Sequence, residues 1–248
     1  MRGNRSLSSI VLFALLALMT PLRAQDPDPV ESRNIQQIQP VEPIEPIDGI
    51  SNDRIMGVIP NFATVSDPNQ KMPPLTARQK VSLAVKETVD PFTFASAAMG
   101  AGLSQFSNGT PSYGWGMASY SERVGAAFAD MATQNFFADA FLAVVLHEDP
   151  RYYRMGPAHS IAKRVLYSVS RTFITRRDNG KDRFNFSGIG GMAMGIALSN
   201  AYYPDRSVTG PVTAGRFNSS LTSTALGNLL PEFWPDFKEV LAHWRHKP

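Results

Sequence analysis

Apolar residues recur every three or four positions along much of residues 75–248, the period of an α-helix with one buried face. The first such segment, 77–89, places Val81, Ala84 and Val85 on one side and follows Thr76, a favourable N-cap residue. Further helices are predicted over about 119–147, 161–173, 184–203, 214–230 and 231–244. The pattern therefore predicts a mainly α fold, a bundle of about five to six helices with packing rich in small residues.

Two segments, 91–121 and 184–203, contain no charged residue. The second includes Gly191 and Gly195 in a G-x-x-x-G pattern, which allows two helices to approach closely in a membrane. Glycine-rich helices also pack closely in bundles outside membranes. Two alternatives therefore stay open, a helical bundle and an integral helical membrane protein that uses residues 91–118 and 184–203.

Two short motifs predict local structure in this region. Ser119 and Glu122 have the spacing of a capping box and predict the start of the long helix that ends near His147. Asn179 and Gly180 suit the type I′ turn of a hairpin, and residues on both sides of them alternate in polarity. The sequence thus predicts one short β-hairpin near 173–186, with a helix end followed by a loop as the alternative.

The first 74 residues differ in composition from the rest. Residues 1–24 have a basic start, an apolar centre and a small final residue, Ala24, which is the order of a cleavable signal peptide. Residues 25–74 form an acidic, proline-rich tail or linker before a helical domain at 75–248, and their proline content favours an extended N-terminal tail. Within this tail, the more apolar residues 52–61 are a candidate to dock on the helical domain. The order of these segments predicts an exported protein, periplasmic or associated with the cell envelope.

The charge balance changes once the predicted signal peptide is removed. The chain has 24 Lys and Arg against 21 Asp and Glu, and the excess of three belongs to Arg2, Arg5 and Arg23. The remaining chain is formally neutral but polarised, with six acids and one base between residues 26 and 50. The absence of Cys excludes a disulfide scaffold, a thiolate zinc site, an iron–sulfur cluster and a Cys nucleophile.

The densest polar cluster lies at the end of the long predicted helix and supplies the candidate catalytic residues, His147, Glu148, Asp149, Arg151 and Arg154. In a structural interpretation, the helix dipole stabilises the His, and the Arg side chains bind the last carbonyls. In a functional interpretation, His147 is a general base or a metal ligand beside the two acids. Arg151 occupies the second His position of H-E-x-x-H, so a metal at His147 would need another ligand, with His159 the nearest candidate. Whether the protein is an enzyme stays open.

A basic stretch between residues 151 and 183 contains nine bases and two acids. Lipid head groups, cell-wall phosphates or the acidic tail of the same chain are candidate partners, and an ordinary solvated face is the alternative. The candidate anion-binding or surface-binding residues are Lys163, Arg164, Arg171, Arg176 and Arg177. Walker A and dinucleotide-binding motifs are absent, so neither a nucleotide nor another cofactor is predicted, and export argues against nucleic acid.

Three segments together, 52–61, 146–152 and 171–176, resemble a family of uncharacterised exported bacterial proteins. They read Asn-Asp-Arg-Ile-Met-Gly-Val-Ile-Pro-Asn, Leu-His-Glu-Asp-Pro-Arg-Tyr and Arg-Thr-Phe-Ile-Thr-Arg. The family has no established activity, so the resemblance implies export and a shared fold and assigns no catalytic residue.

Three functional hypotheses follow from these features. The preferred one is a non-enzymatic envelope protein that binds a membrane surface or a partner protein of the envelope. The second is an exported hydrolase or metal-dependent enzyme centred on His147, Glu148 and Asp149. The third is an integral helical membrane protein.

Overall fold

The computed structural model describes residues 50–108, 111–204 and 208–245. The predicted signal peptide, 1–24, and residues 25–49 of the predicted tail lie outside these ranges. The described helices are α1 Ala77–Thr88, α2 Pro91–Phe106, α3 Met117–Asn135, α4 Ile161–Ser170, α5 Phe186–Ser199, α6 Gly210–Gly227 and α7 Leu229–Arg245. A π-helix, Phe136–Leu142, and a short helical turn, Ala143–Val145, continue α3 without a break. The mainly α fold is confirmed.

Short strands form three small sheets beside the helices. They are β1 Arg54–Ile55, β2 Ile59–Pro60, β3 Thr64–Val65, β4 Glu148–Asp149, β5 Tyr152–Tyr153, β6 Ile174–Arg177 and β7 Asp182–Phe184. β1 pairs antiparallel with β2, and β3 pairs in parallel with β5, Thr64 lying opposite Tyr152. The third sheet has the antiparallel order β4-β6-β7, with Ile174 opposite Phe184.

Residues 50–74, which composition assigned to the tail, pack on the helical region. Ile50 and Phe62 are buried against Leu75 and Leu83 in one hydrophobic cluster. The Lys86 ammonium lies over the Phe62 ring, 3.9 Å from its centroid. The folded unit therefore includes strands that precede residue 75.

The structure confirms one of the two predicted helix N-caps and contradicts the other. Thr76 and Gln79 form a capping box at α1, as the N-cap prediction expected. The predicted capping box at Ser119 is wrong, because α3 begins two residues earlier, after Gly116 with φ 105°. Ser119 therefore lies in the first turn, where its hydroxyl donates to the Trp115 carbonyl (3.3 Å).

The predicted hairpin is present as β6 and β7, but the type I′ turn is wrong. A type I′ turn needs positive φ at both central residues, and within 178–180 only Gly180 has it, at +81°. The Gly180 amide donates to the Arg177 carbonyl (2.8 Å), and the Arg177 amide donates to the Lys181 carbonyl (2.8 Å). The loop is thus a three-residue connection that ends on a left-handed glycine.

The G-x-x-x-G pattern serves close packing of α5 on the continuation of α3. A Cβ added to Gly191 would lie 2.5 Å from the Ala138 Cα, and one added to Gly195 would lie 2.6 Å from the Gln134 Cγ. Both positions therefore require glycine for this contact. Among the helices of the described residues, none combines the length and the apolar character that crossing a membrane requires.

Candidate functional site

His147 stands apart from the acids that follow it in the sequence. Its side chain is 76% exposed, and its backbone has φ +53° where the helical segment ends. The nearest carboxylate is Asp178, with 3.8 Å between His147 Nδ1 and Asp178 Oδ2. Glu148 and Asp149 are buried, so the structure does not bring the three side chains to one point.

The two buried acids each have structural partners. The Ser187 amide donates to Glu148 Oε2 (2.8 Å), and Arg183 Nε lies 3.1 Å from Glu148 Oε1. Asp149 pairs with Arg151 at 2.6 Å and accepts from the Tyr153 hydroxyl at 2.8 Å. Burial and the neighbouring Asp149 carboxylate raise the pKa of Tyr153 to about 12. Through these contacts Glu148 and Asp149 join β4, β5 and the start of α5, so both acids have a structural role.

A second buried network fixes α7 to the rest of the domain. Glu232, with no exposed surface, accepts from Arg164 Nε (2.7 Å) and from the Tyr152 hydroxyl (2.9 Å). Arg154 and Arg164 both bind Asp236, and both donate to the Glu232 carbonyl. Arg154 and Arg164 therefore have their charges paired inside the protein.

The five predicted surface-binding bases do not form one face. Arg164 and Arg171 are buried, and Arg171 pairs with Asp182 at 3.1 Å. The Arg176 guanidinium lies over the Tyr153 ring, 3.9 Å from its centroid. The two exposed members are Lys163 and Arg177. His159, the second metal candidate, is exposed, and its Nδ1 lies 3.5 Å from Lys163 Nζ. Within the described residues, no three acidic or His side chains are grouped so that they could hold a metal ion.

Two carboxyls at the contact of α1 with the π-helix are perturbed by burial. Desolvation raises the pKa of Glu87 to about 8, and the nearby Asp139 carboxylate adds to the effect. Desolvation also raises the pKa of Asp139, to about 7. Asp139 lines a small cavity of about 220 Å³ that also includes Arg171 and Asn185.

A larger cavity, of about 570 Å³, lies between α2, α3 and α6, with Ile196 of α5 also in its wall. Small residues form much of its wall, which lets the helices surround an open space. They are Ala97, Gly100, Ala101, Ala126, Ala127 and Gly215. The volume falls in the range of pockets that bind small organic molecules.

Two arginines line this cavity. Arg123 is only 3% exposed and donates to the Ser104 hydroxyl (3.4 Å) and the Gly114 carbonyl (3.2 Å). Arg216 donates to the Ser199 hydroxyl (2.7 Å) and to Asn200. The Nε atoms of both arginines are buried without a hydrogen-bond partner.

One carboxylate, Asp130, also lines the cavity, and two phenols hold it. The Tyr202 hydroxyl donates at 2.5 Å and the Tyr203 hydroxyl at 2.7 Å. Burial raises the pKa of Asp130, against these hydrogen bonds and the positive charge of Arg216. The Tyr203 ring centroid lies 4.3 Å from the Arg216 guanidinium and 6.0 Å from the Tyr113 ring centroid.

The opposite side of α2 carries bulky apolar side chains that are exposed. Met99, Leu103 and Phe106 follow the i, i+4, i+7 spacing of one helix face and are 65%, 63% and 87% exposed. Trp115 and Met117, where the chain enters α3, are 67% and 79% exposed. Phe106 is the last residue of α2, and Met117 is the first residue of α3. We call the five residues the apolar patch.

A weak signal for the cavity was present in the sequence. Arg216 is the only charged residue between Arg206 and Glu232, and Asp130 is isolated in an apolar helix. Neither isolated charge indicates a partner by itself, because its neighbours in space come from other helices. The apolar patch corresponds to the uncharged run 91–121, whose exposed and cavity-lining positions alternate around α2.

Comparison with known proteins finds no match to a family model, to a curated protein or to a solved structure.

Proposed function

We propose that this is an exported envelope protein that binds a membrane surface through the apolar patch, without enzymatic activity. The observation that carries the proposal is the exposure of Met99, Leu103 and Phe106 on one face of α2, within a run of 31 residues that has no charge. Contiguous exposed apolar surface of this kind is typical of protein or membrane contact sites.

A membrane interface fits this patch because of its composition. Trp115 supplies an indole, a group that favours the level of the lipid head groups, beside aliphatic side chains that favour the acyl chains. The opposite side of α2, with Ala97, Gly100 and Ala101, faces the cavity. A helix with one face held by the protein and one apolar face exposed lies in the plane of the interface.

Export is part of the same proposal. The basic, apolar and small-residue segments of 1–24 support a signal peptide that is cleaved after Ala24, and the resemblance to exported bacterial proteins agrees with it. An intact mass that begins at Gln25, measured on protein recovered from the envelope of the producing cell, is the expected result. A chain that keeps residues 1–24 would contradict cleavage.

Vesicle binding tests the proposal. We compare the full chain with its Leu103→Ser/Phe106→Ser variant by co-sedimentation with phospholipid vesicles, so that any contribution of residues 1–24 is present in both. Transfer of a Leu or Phe side chain out of water is worth about 1.5–3 kcal/mol, so the pair is worth ~3 kcal/mol or roughly 100-fold in partitioning. We expect at least ~10-fold weaker binding by the variant.

A matched control separates the patch from general hydrophobicity. Ile161 and Leu166 on α4 are 71% and 72% exposed, and the Ile161→Ser/Leu166→Ser variant removes a comparable apolar area elsewhere. This control is expected to bind vesicles like the unaltered chain. Equal loss in both variants, or a stable dimer that only the patch variant disrupts, would overturn membrane binding through α2.

A further inference from the structure

Two arginines, Arg123 and Arg216, and one carboxylate, Asp130, line the cavity between α2, α3 and α6. Arg123 and Arg216 each bring a guanidinium cation to the cavity wall. Among the described residues, no carboxylate lies within ion-pair distance of either guanidinium. Arg123 is buried and Arg216 is half-buried. Because a buried charge is normally paired, their positions in one cavity indicate a missing anion.

Asp130 does not fill this role. Its two oxygens accept from the hydroxyls of Tyr202 and Tyr203, at 2.5 and 2.7 Å. Glu122, the other acid near the Tyr113 side chain, is exposed to solvent and does not line the cavity. The unpartnered Nε atoms of Arg123 and Arg216 remain as buried donors that the surrounding protein leaves unused.

The positions of the two arginines relative to the tyrosines place them in one region of the cavity. The Arg123 guanidinium lies 5.2 Å from the Tyr113 ring centroid, and the Arg216 guanidinium lies 4.3 Å from that of Tyr203. The two rings meet edge to face, with 6.0 Å between their centroids. Each arginine therefore lies on one ring of the same aromatic pair.

The rest of the cavity wall selects an apolar body. Ala97, Gly100 and Ala101 come from α2, and Ala126 and Ala127 come from α3. A hydrated inorganic anion would leave these apolar walls in contact with water, whereas a hydrocarbon chain or ring would displace that water and bury them. The volume of about 570 Å³ admits a small organic molecule.

We infer that this cavity binds a small monocarboxylate with an apolar body, its carboxylate held by Arg123 and Arg216 and its body against the small residues of α2 and α3. Arg suits this task because its planar group donates two parallel hydrogen bonds to a carboxylate. The site is separate from the apolar patch, since the cavity-lining residues and the patch occupy roughly opposite sides of α2. Its existence does not depend on membrane binding.

Calorimetric titration of the full chain with four probes tests the inference. Octanoate supplies both groups, 1-octanol the body without the charge, acetate the charge without the body, and inorganic phosphate a different anion. We expect octanoate to bind at least ~10-fold more tightly than 1-octanol, and acetate and phosphate to bind more weakly still. Equal binding of octanoate and 1-octanol, or tighter binding of phosphate, would overturn the assignment.

Variants locate the binding. Arg216→Met, at a half-buried position, is expected to weaken octanoate binding at least ~10-fold, and Arg177→Met, at an exposed hairpin position, is the matched control with no effect. Gly100→Leu fills the cavity without touching either arginine, because a Cβ at Gly100 meets no atom within 4 Å. It should abolish octanoate binding in a folded protein.

The patch variant decides where octanoate binds. Leu103→Ser/Phe106→Ser should keep octanoate binding, because those side chains lie away from the cavity. If that variant loses octanoate while Arg216→Met and Gly100→Leu keep it, the probe binds the apolar patch and the cavity assignment is wrong. A protein that binds octanoate but not vesicles would support the cavity inference and contradict the proposed function. A protein that binds vesicles but not octanoate would support the proposed function and contradict the cavity inference.

Discussion

Replacing Glu232 with Gln tests whether the buried network holds α7 on the domain. The Glu232 carboxylate accepts from Arg164 Nε at 2.7 Å, the Tyr152 hydroxyl at 2.9 Å, and the Met155 and Gly156 amides at 2.9 and 3.0 Å. Gln keeps the shape but removes the charge. The NH₂ group of Gln also replaces one of the two carboxylate oxygens, so it faces hydrogen-bond donors that this oxygen accepts from in Glu232.

The expected cost follows from these contacts. Neutralising one partner of a buried ion pair lowers the free energy of unfolding by about 3–5 kcal/mol. Arg164 keeps a second carboxylate, Asp236, with 2.5 Å between Nη1 and Oδ2, so we expect the lower end, ~3 kcal/mol. For a folded unit of roughly 200 residues, each 1 kcal/mol shifts Tm by about 2–4 °C, which gives a decrease of about 6–12 °C.

Urea denaturation followed by far-ultraviolet circular dichroism measures this change. The control is Lys238→Gln on the same helix, because the Lys238 and Asp53 side chains are 51% and 41% exposed and lie 3.8 Å apart, so water screens their interaction. We expect this control to lose about 1 kcal/mol or less. A loss below about 1 kcal/mol for Glu232→Gln, or equal losses in both variants, would refute the view that α7 is fixed by a buried charge network.

Further predictions concern packing and pH. Gly191→Ala should lower the free energy of unfolding by about 1–3 kcal/mol, because the added methyl group overpacks the helix contact. Gly100→Ala, where the added methyl group meets open space, should raise it by about 0.5–1 kcal/mol. Urea denaturation measures both changes. The raised pKa values of Glu87 (about 8) and Asp139 (about 7) mean that the folded state binds more protons than the unfolded state above about pH 4. Stability should therefore fall as pH rises from about 4 to 8, and Asp139→Asn should reduce that fall in Tm measurements, while an unchanged slope would contradict it.

Local features of the sequence predicted the hairpin and the helices other than α2, because neighbouring residues determine them. Thr76 with Gln79 supplies all that the start of α1 needs, and Gly180 supplies the left-handed conformation of the β6–β7 loop. The exact turn type was wrong, since Asn179 allows positive φ but does not require it. The start of α3 was wrong because Gly116 ends the preceding loop before Ser119 is reached.

The roles of the charged residues depend on contacts that the sequence does not display. Arg164 lies 68 positions from Glu232, and Glu148 lies 39 positions from Ser187. A basic stretch therefore resembled a binding face although Arg164 is paired internally. The cavity, likewise, exists only where four separate segments meet, so the isolated Arg216 indicated nothing about its surroundings.

Fluorescence quenching by lipids tests membrane binding through the apolar patch most directly. A Trp234→Phe/Trp244→Phe variant keeps Trp115, which is 67% exposed at the patch, as its single tryptophan. With vesicles whose acyl chains carry bromine near the head group, membrane binding predicts a blue-shifted and strongly quenched Trp115 emission. Trp115 emission that keeps its wavelength and intensity when these lipids are in large excess over the protein would contradict the account.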